Sequence, residues 1–406
     1  MTVGVRHDDL RRRNRAMVIA AVRRAAQPSR TEIAAATRLS HSTISAISSD
    51  LIAEGVLVEV KPAEAVLTRR GRPQVALGLA ADFACVVSIV LTLNQLWTSL
   101  ISYDGVVTDE TAQRLPTLTM GKAELVEAVI GSVRDLLRRN PGRRKLARIA
   151  LAVQGVTDSR DSRLLWSPIT PHGDIAFAAL IEERLGIPAT VQNDCNMIAV
   201  ALRWRWPQRY GDDFFAVLLS NGIGMGLMQK GQVFTGTHSS GGEFGHMIHI
   251  PHGALCRCGR RGCIEAYAGN YALVRAAGGG GDTDPPAADI GQAEIEALAD
   301  AARAADGRER AAFRRAGEAI GYGMGNLFAL FDPAPVAIVG PGALAFDILE
   351  APIRDAIACT AGGRHNGAIS FATEPDEMPL IRDGCAMTAL GFVDEKIAAR
   401  GIAAAA

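Results

Sequence analysis

Apolar positions in the first quarter of the chain recur with a helical period. Over residues 10–26, Met17, Ile19, Ala20 and Val22 mark one helix, with arginines crowded at its start and Pro28 as its stop. Ser29-Arg30-Thr31-Glu32 opens a short helix over 33–37, with a cap residue at 29 or 30 and Glu32 in its first turn. Leu39-Ser40 is a turn. A second helix over 41–54 places Ile44, Ile47, Leu51 and Ile52 on one inward stripe, and Gly55 ends it. Residues 56–60 and 65–68 then alternate as two short strands. From Phe83 the pattern changes: apolar runs over 85–93, 96–102, 149–153, 191–194, 214–219, 226–229 and 336–339 predict strands. Between and after them, 122–139, 177–185, 198–204, 293–305, 307–330 and 386–399 predict helices. Residues 278–291 (GGGGDTDPPAADIG) form an exposed break. Alternating strands and helices argue for a parallel or mixed sheet covered on its faces. No internal repeat with clear self-similarity is present. The division is 1–78 and 79–406, with a cleft expected near 190–265.

Helix, turn, Ser/Thr-rich helix and wing resemble a winged helix-turn-helix, in which the second helix enters the major groove by its N-terminal end. This puts His41, Ser42, Thr43 and Ser45 near phosphates and base edges. A small helical domain that binds protein is the alternative. Charge weighs against it: residues 1–76 hold thirteen Lys/Arg against seven Asp/Glu, a net of +6 in a chain whose total is zero, so the remainder is net −6. A basic module on an acidic body expects a polyanion such as operator DNA. Arg69-Arg70-Gly71-Arg72-Pro73 follows the wing. It reads either as a solvated linker or as an extended segment laying Arg70 and Arg72 in a minor groove.

The stretch 241–265 (GGEFGHMIHIPHGALCRCGRRGCIE) carries the densest chemistry. His246, Cys256, Cys258 and Cys263 offer one imidazole and three thiolates, a donor set that suits a closed tetrahedral zinc site, one ion per chain. Gly259 and Gly262 lie where a tight fold calls for positive φ. Cysteines one residue apart are badly placed for a mutual disulfide. The remaining composition fits a reducing cytoplasm: seven cysteines, 48% apolar residues, a charged start without an apolar leader, and no run long enough to span a membrane.

Glu243-x-x-His246, ten residues to Cys256, then C-x-C-G-x-x-G-C-x-E ending at Glu265 resembles the signature of the ROK family of repressors and sugar kinases. The resemblance implies a two-lobed, actin-like α/β sugar-kinase fold with a structural zinc site behind the N-terminal winged helix-turn-helix. It also implies that Asn193, Asp194, Glu243, His246 and Glu265 reach the hydroxyls of a bound sugar. His246 would use one ring nitrogen for zinc and the other for the sugar. In the kinases of this family an aspartate placed like Asp194 is the general base. Read alone, Asn193-Asp194 is only a turn.

Phosphoryl transfer also needs backbone donors around the phosphates and carboxylates for Mg²⁺. Asn221-Gly222-Ile223-Gly224-Met225-Gly226 matches the family's second phosphate loop. The first loop departs: residues 86–98 (VVSIVLTLNQLWT) contain no acidic residue and no glycine. Gln154-Gly155 also replaces the usual Pro-Gly. The expectation is therefore a cytoplasmic, sugar-responsive transcriptional regulator, a repressor of carbohydrate genes. It would take a sugar or sugar phosphate as effector, act as a homodimer or dimer of dimers, and have no catalytic residue in use. The alternatives are an active sugar kinase with an added DNA-binding arm, and a regulator that answers to a partner protein.

Overall fold

Two five-stranded sheets wound in the same order make the body. In the computed structural model, residues 7–25, 27–60, 75–141, 145–158, 160, 162–237, 241–286 and 290–400 are described. The N-terminal unit is α1 (His7–Ala25), α2 (Arg30–Thr37), α3 (His41–Ala53), β1 (Leu57–Val60) and β2 (Ala76–Leu79). The first lobe follows with β3 (Cys85–Thr92), β4 (Gln95–Ser102), β5 (Val107–Arg114), α4 (Lys122–Arg139) and β6 (Leu146–Val153). A small hairpin, β7 (Val156–Thr157) and β8 (Leu164–Trp166), then leads to α5 (Phe177–Leu185) and β9 (Ala189–Asn193). Helices α6 (Asp194–Arg205) and α7 (Pro207–Tyr210) cross to the second lobe, which opens with β10 (Phe214–Leu219), β11 (Ile223–Gln229) and β12 (Gln232–Val233). It continues with α8 (Glu265–Ala268), α9 (Asn270–Ala277), α10 (Gln292–Ala304), α11 (Arg308–Phe331), β13 (Val336–Val339), α12 (Phe346–Ala358) and β14 (Phe371–Glu374). The last helix is α13 (Glu377–Arg400).

The sheet orders are β5-β4-β3-β6-β9 and β12-β11-β10-β13-β14, the same winding of an antiparallel meander extended by two parallel strands. The repeat lies in topology and burial, which explains why no self-similarity is visible in the residues. Buried β3 (Val86, Val87, Ile89, Val90, Leu91) and β10 (Phe214 to Leu219) each run through a lobe centre, so both read as continuous apolar runs.

Several elements differ from the sequence expectation. β1 pairs antiparallel with β2, Leu57 opposite Leu79, so the strand partner of 56–60 is Ala76–Leu79. The expected partner 65–68 lies outside the described residues, as does 69–73 with Arg70 and Arg72. β5 was not expected, because VTDETAQR is a charged, half-exposed edge strand, a common guard against edge pairing. α12 was hidden by Pro352 in its interior. α6 begins at Asp194 rather than 198, because the Asn193 side chain caps it by accepting from the Asn196 amide at 3.0 Å. α13 begins at Glu377 rather than 386.

The N-terminal unit is not a loosely tethered module. α2 carries a full capping box between Ser29 and Glu32, and α3 is capped by Ser40. Buried Ile33, Ile44, Ile47 and Leu51 share one apolar core with residues of α6 and α13, including Leu202, Leu390 and Ile397. Arg23 of α1 reaches across to α13. Its Nε and Nη2 donate to Asp394 at 2.9 and 2.7 Å, its Nη1 donates to the Tyr103 carbonyl, and the guanidinium lies over the Tyr103 ring. The Tyr103 hydroxyl donates to Asp394 at 2.7 Å. Among the described residues, no helix is long and apolar enough to cross a membrane.

Candidate functional site

Between the lobes lies a cleft of about 300 Å³. Asn193, Asp194, Glu243, His246 and Glu265 all line it, although they come from three separate places in the chain. β9 and its cap deliver Asn193 and Asp194 from the first lobe. Glu243 precedes and His246 ends a 3-10 turn over Phe244–His246, and Glu265 is the first residue of α8.

His246, Cys256, Cys258 and Cys263 form one cluster whose donor atoms all lie within 4.8 Å of one another. His246 Nδ1 sits 3.7 Å from Cys256 Sγ, and Cys258 Sγ sits 3.8 Å from Cys263 Sγ. Two thiolates bound at about 2.3 Å around a tetrahedral ion stand about 3.8 Å apart, so the cluster could hold a metal ion. Sulfur neighbours Cys256 and Cys263 hold Cys258 well below the usual thiol range, which favours the thiolate a metal needs. The loop is built for the cluster. Gly259 and Gly262 have φ of 82° and 86°, as their spacing predicts, and a Cβ on Gly262 would overlap the Ile250 carbonyl. Short bridges tie Ile248 to Cys263 and Leu255 to Arg261.

The cluster and the cleft share walls. With Nδ1 facing the sulfurs, the other ring nitrogen of His246 points toward Glu243, at 3.9 Å from Oε2. Burial pushes the Glu243 carboxyl up, against the pull of His246. Buried Glu265 accepts from the Ile223 amide at 3.2 Å and from the Tyr271 hydroxyl at 3.3 Å, and Cys256 Sγ lies 3.4 Å away. The Cys/His cluster and the posture of these carboxylates are therefore one structure.

Asp194 is almost fully buried at the cleft floor. Burial pushes its carboxyl up to about 7, against the hydrogen bond donated by the Cys195 amide at 2.9 Å. Such a group can orient a hydroxyl or take its proton. Asn193 is held more tightly by structure. Besides capping α6, its Nδ2 donates to the Gly155 carbonyl at 2.9 Å, which ties down the cleft-lining loop after β6.

The phosphate-side features look different. Residues 86–98 form the β3–β4 hairpin, closed by buried Leu93 and by Asn94 at φ 58°. The Asn94 amide donates to Thr117 Oγ1 at 3.2 Å, so it does not face an anion. Of the glycines in 221–226, Gly224 and Gly226 lie inside β11, paired with Leu218 and Ala216. A Cβ on either would overlap Cys195 of α6, so strand-to-helix packing accounts for both. The loop expected there is confined to the turn before Ile223.

Sequence reasoning missed Trp166, Asp158 and Thr388, which also line the cleft. Trp166 lies in a segment with neither helical nor strand period, and Thr388 belongs to a helix turned mostly toward the core. The available signal was Gly155, whose φ of 143° brings its backbone against the Trp166 carbonyl. At the N-terminal unit, His41, Ser42 and Ser45 are exposed and Thr43 half-buried, all on the first turns of α3.

Comparison with known proteins places these features. The xylose repressor of Caldicellulosiruptor bescii is 22% identical over 335 residues, 81% of this chain and 83% of that protein. The glucokinase of Streptomyces coelicolor is 25% identical over 303 residues, 66% of this chain and 94% of the enzyme. Other repressor relatives match over about 60% of their own length. Among solved structures, a ROK family transcriptional regulator described as a homologue of the E. coli MLC protein superposes with a TM-score of 0.75 at 21% identity. It covers 95% of this chain and 98% of that one, and supports the two-lobed fold with its N-terminal helices. The ROK family model itself matches residues 102–370, which takes in most of the second lobe, part of the first, the five cleft residues and the Cys/His cluster, and the chain therefore belongs to the ROK family.

Proposed function

We propose that this chain is a sugar-responsive, DNA-binding repressor of carbohydrate-metabolism genes, with a kinase-like body that no longer transfers phosphate. One observation carries the reading: the N-terminal unit shares a continuous core with α6 and α13, and those helices also contribute Asp194 and Thr388 to the cleft. Relatives named xylose repressor and N-acetylglucosamine repressor point the same way. In this reading α1 to α3 with β1 and β2 form a winged helix-turn-helix. His41, Ser42, Thr43 and Ser45 approach the major groove, and Arg70 and Arg72 the minor groove. Zinc fills the Cys₃His cluster, supplying no water or Lewis-acid chemistry but locking His246 and the cleft wall. The sugar is held by Asn193, Asp194, Glu243, His246 and Glu265. A homodimer presents two recognition helices to a two-fold operator.

The second reading is an active sugar kinase, favoured by the glucokinase relatives and by Asp194 at the cleft floor. The β3–β4 hairpin argues against it, because it offers no carboxylate for Mg²⁺ and its turn amide at Asn94 donates to Thr117. With ATP, Mg²⁺ and glucose, xylose or N-acetylglucosamine, a coupled assay is expected to register no turnover. Turnover that vanishes in Asp194→Ala would reverse the assignment.

A further inference from the structure

We infer that the cleft takes an unphosphorylated monosaccharide laid against Trp166, and that it rejects the corresponding sugar phosphates. This inference rests on the sugar-sensing reading above and narrows it. Two observations carry it. The first is charge. The acidic and basic side chains lining the cleft among the described residues are Asp158, Asp194, Glu243, Glu265 and His246, and no lysine or arginine lines it. Cationic side chains are the strongest phosphate donors, and the one basic side chain here, His246, turns one nitrogen to the sulfurs and the other to Glu243. Carboxylates instead accept hydrogen bonds from hydroxyls, which a neutral sugar supplies on several adjacent carbons. At about 300 Å³ the space lies at the lower end for a ligand pocket, in keeping with a single ring.

The second observation is the aromatic wall. Trp166 stands on β8 of the first lobe and meets His246 of the second lobe edge-on, with ring centroids 5.7 Å apart and planes at 79°. It is 37% exposed, so part of the indole is open to solvent at the cleft. An indole face carries negative charge density and accepts the polarised C–H groups of a pyranose face. Trp166 is held in place by backbone: Gly155 packs against its carbonyl, and β8 pairs with β7. One face of the sugar would lie on Trp166 while its edge hydroxyls reach Asp194 and Glu243. A phosphate on that edge would meet carboxylates.

Calorimetric titration of the zinc-loaded full chain tests this, with glucose, xylose and N-acetylglucosamine set against glucose 6-phosphate, xylose 5-phosphate and N-acetylglucosamine 6-phosphate. At least one free sugar is expected to bind, and its phosphate at least tenfold more weakly. Indole fluorescence should change on binding, and Trp166→Phe should abolish most of that change while keeping affinity within a few-fold. Trp166→Ala should lose tenfold or more. Binding of a phosphate without its free sugar would overturn the inference and leave sugar sensing intact. A fluorescence change unaltered in Trp166→Phe would overturn the stacking. Binding by none of the six at 10 mM would sink sugar sensing itself, and this inference with it.

Discussion

Replacing Cys258 with serine is expected to release the metal, lower the thermal midpoint sharply and weaken sugar binding at least tenfold. The three effects share one cause. Cys258 sits half-buried, 3.8 Å from Cys263 Sγ, in a loop whose fold depends on two positive-φ glycines and two short backbone bridges. Ala254, Cys256, Cys263 and Ile264 pack on the core of the second lobe, and ligation would add to that order, structural zinc being worth about 10–16 kcal/mol in isolated fingers. Glu265 follows Cys263 by two residues and contacts Cys256, and Glu243 faces His246, so a loosened loop misplaces both carboxylates. Changes to the groups around a metal commonly cost 10- to 100-fold. Elemental analysis beside thermal unfolding checks it. Well under one zinc per chain in wild-type protein prepared without chelator would contradict the zinc assignment.

Removing the Asp394 carboxylate should be nearly as severe. Asp394→Ala strands the Arg23 guanidinium, whose side chain is 5% exposed, and removes the acceptor for Tyr103. Burial and Asp394 push the Tyr103 phenol up, so it is a donor at every working pH. Breaking one side of a buried pair typically costs about 3–5 kcal/mol, whereas replacing both partners with apolar groups costs little. Denaturant unfolding should accordingly find Asp394→Ala several kcal/mol less stable, with Arg23→Met/Asp394→Leu recovering most of the loss. The double variant should also bind DNA with a weakened response to sugar, because this pair pins α1 to the helix that carries Thr388 into the cleft. Equal stability of the single and double variants would remove the pair from the account.

Much of this was legible in the residues. Spacing alone brought His246, Cys256, Cys258 and Cys263 to one point, and the boundaries of α4, α5, β10 and β13 follow from apolar periodicity. The five cleft residues rested on family resemblance, since nothing local tells Asn193-Asp194 from an ordinary turn. The structure gives that dipeptide both roles, a helix cap and a cleft wall. Illegible features were those set by partners distant in sequence. Trp166 needs the Gly155 loop to place it, and Gly224 and Gly226 look like a phosphate loop until Cys195 packs against them. The junction of α1 with α13 joins residues 371 apart, which no local pattern encodes.

The central claim is that occupancy of the cleft alters DNA binding, and only differential affinity for two arrangements of the chain can achieve that. The most direct measurement is the affinity of the full chain for a duplex selected from a randomised pool, titrated with and without the sugar found by calorimetry. Coupling between sites is typically about 1–3 kcal/mol, so the affinity should change roughly 5- to 150-fold, and Glu243→Ala should bind the duplex normally while losing the response. An affinity unchanged by saturating sugar, or a full response retained in Glu243→Ala, would contradict the account.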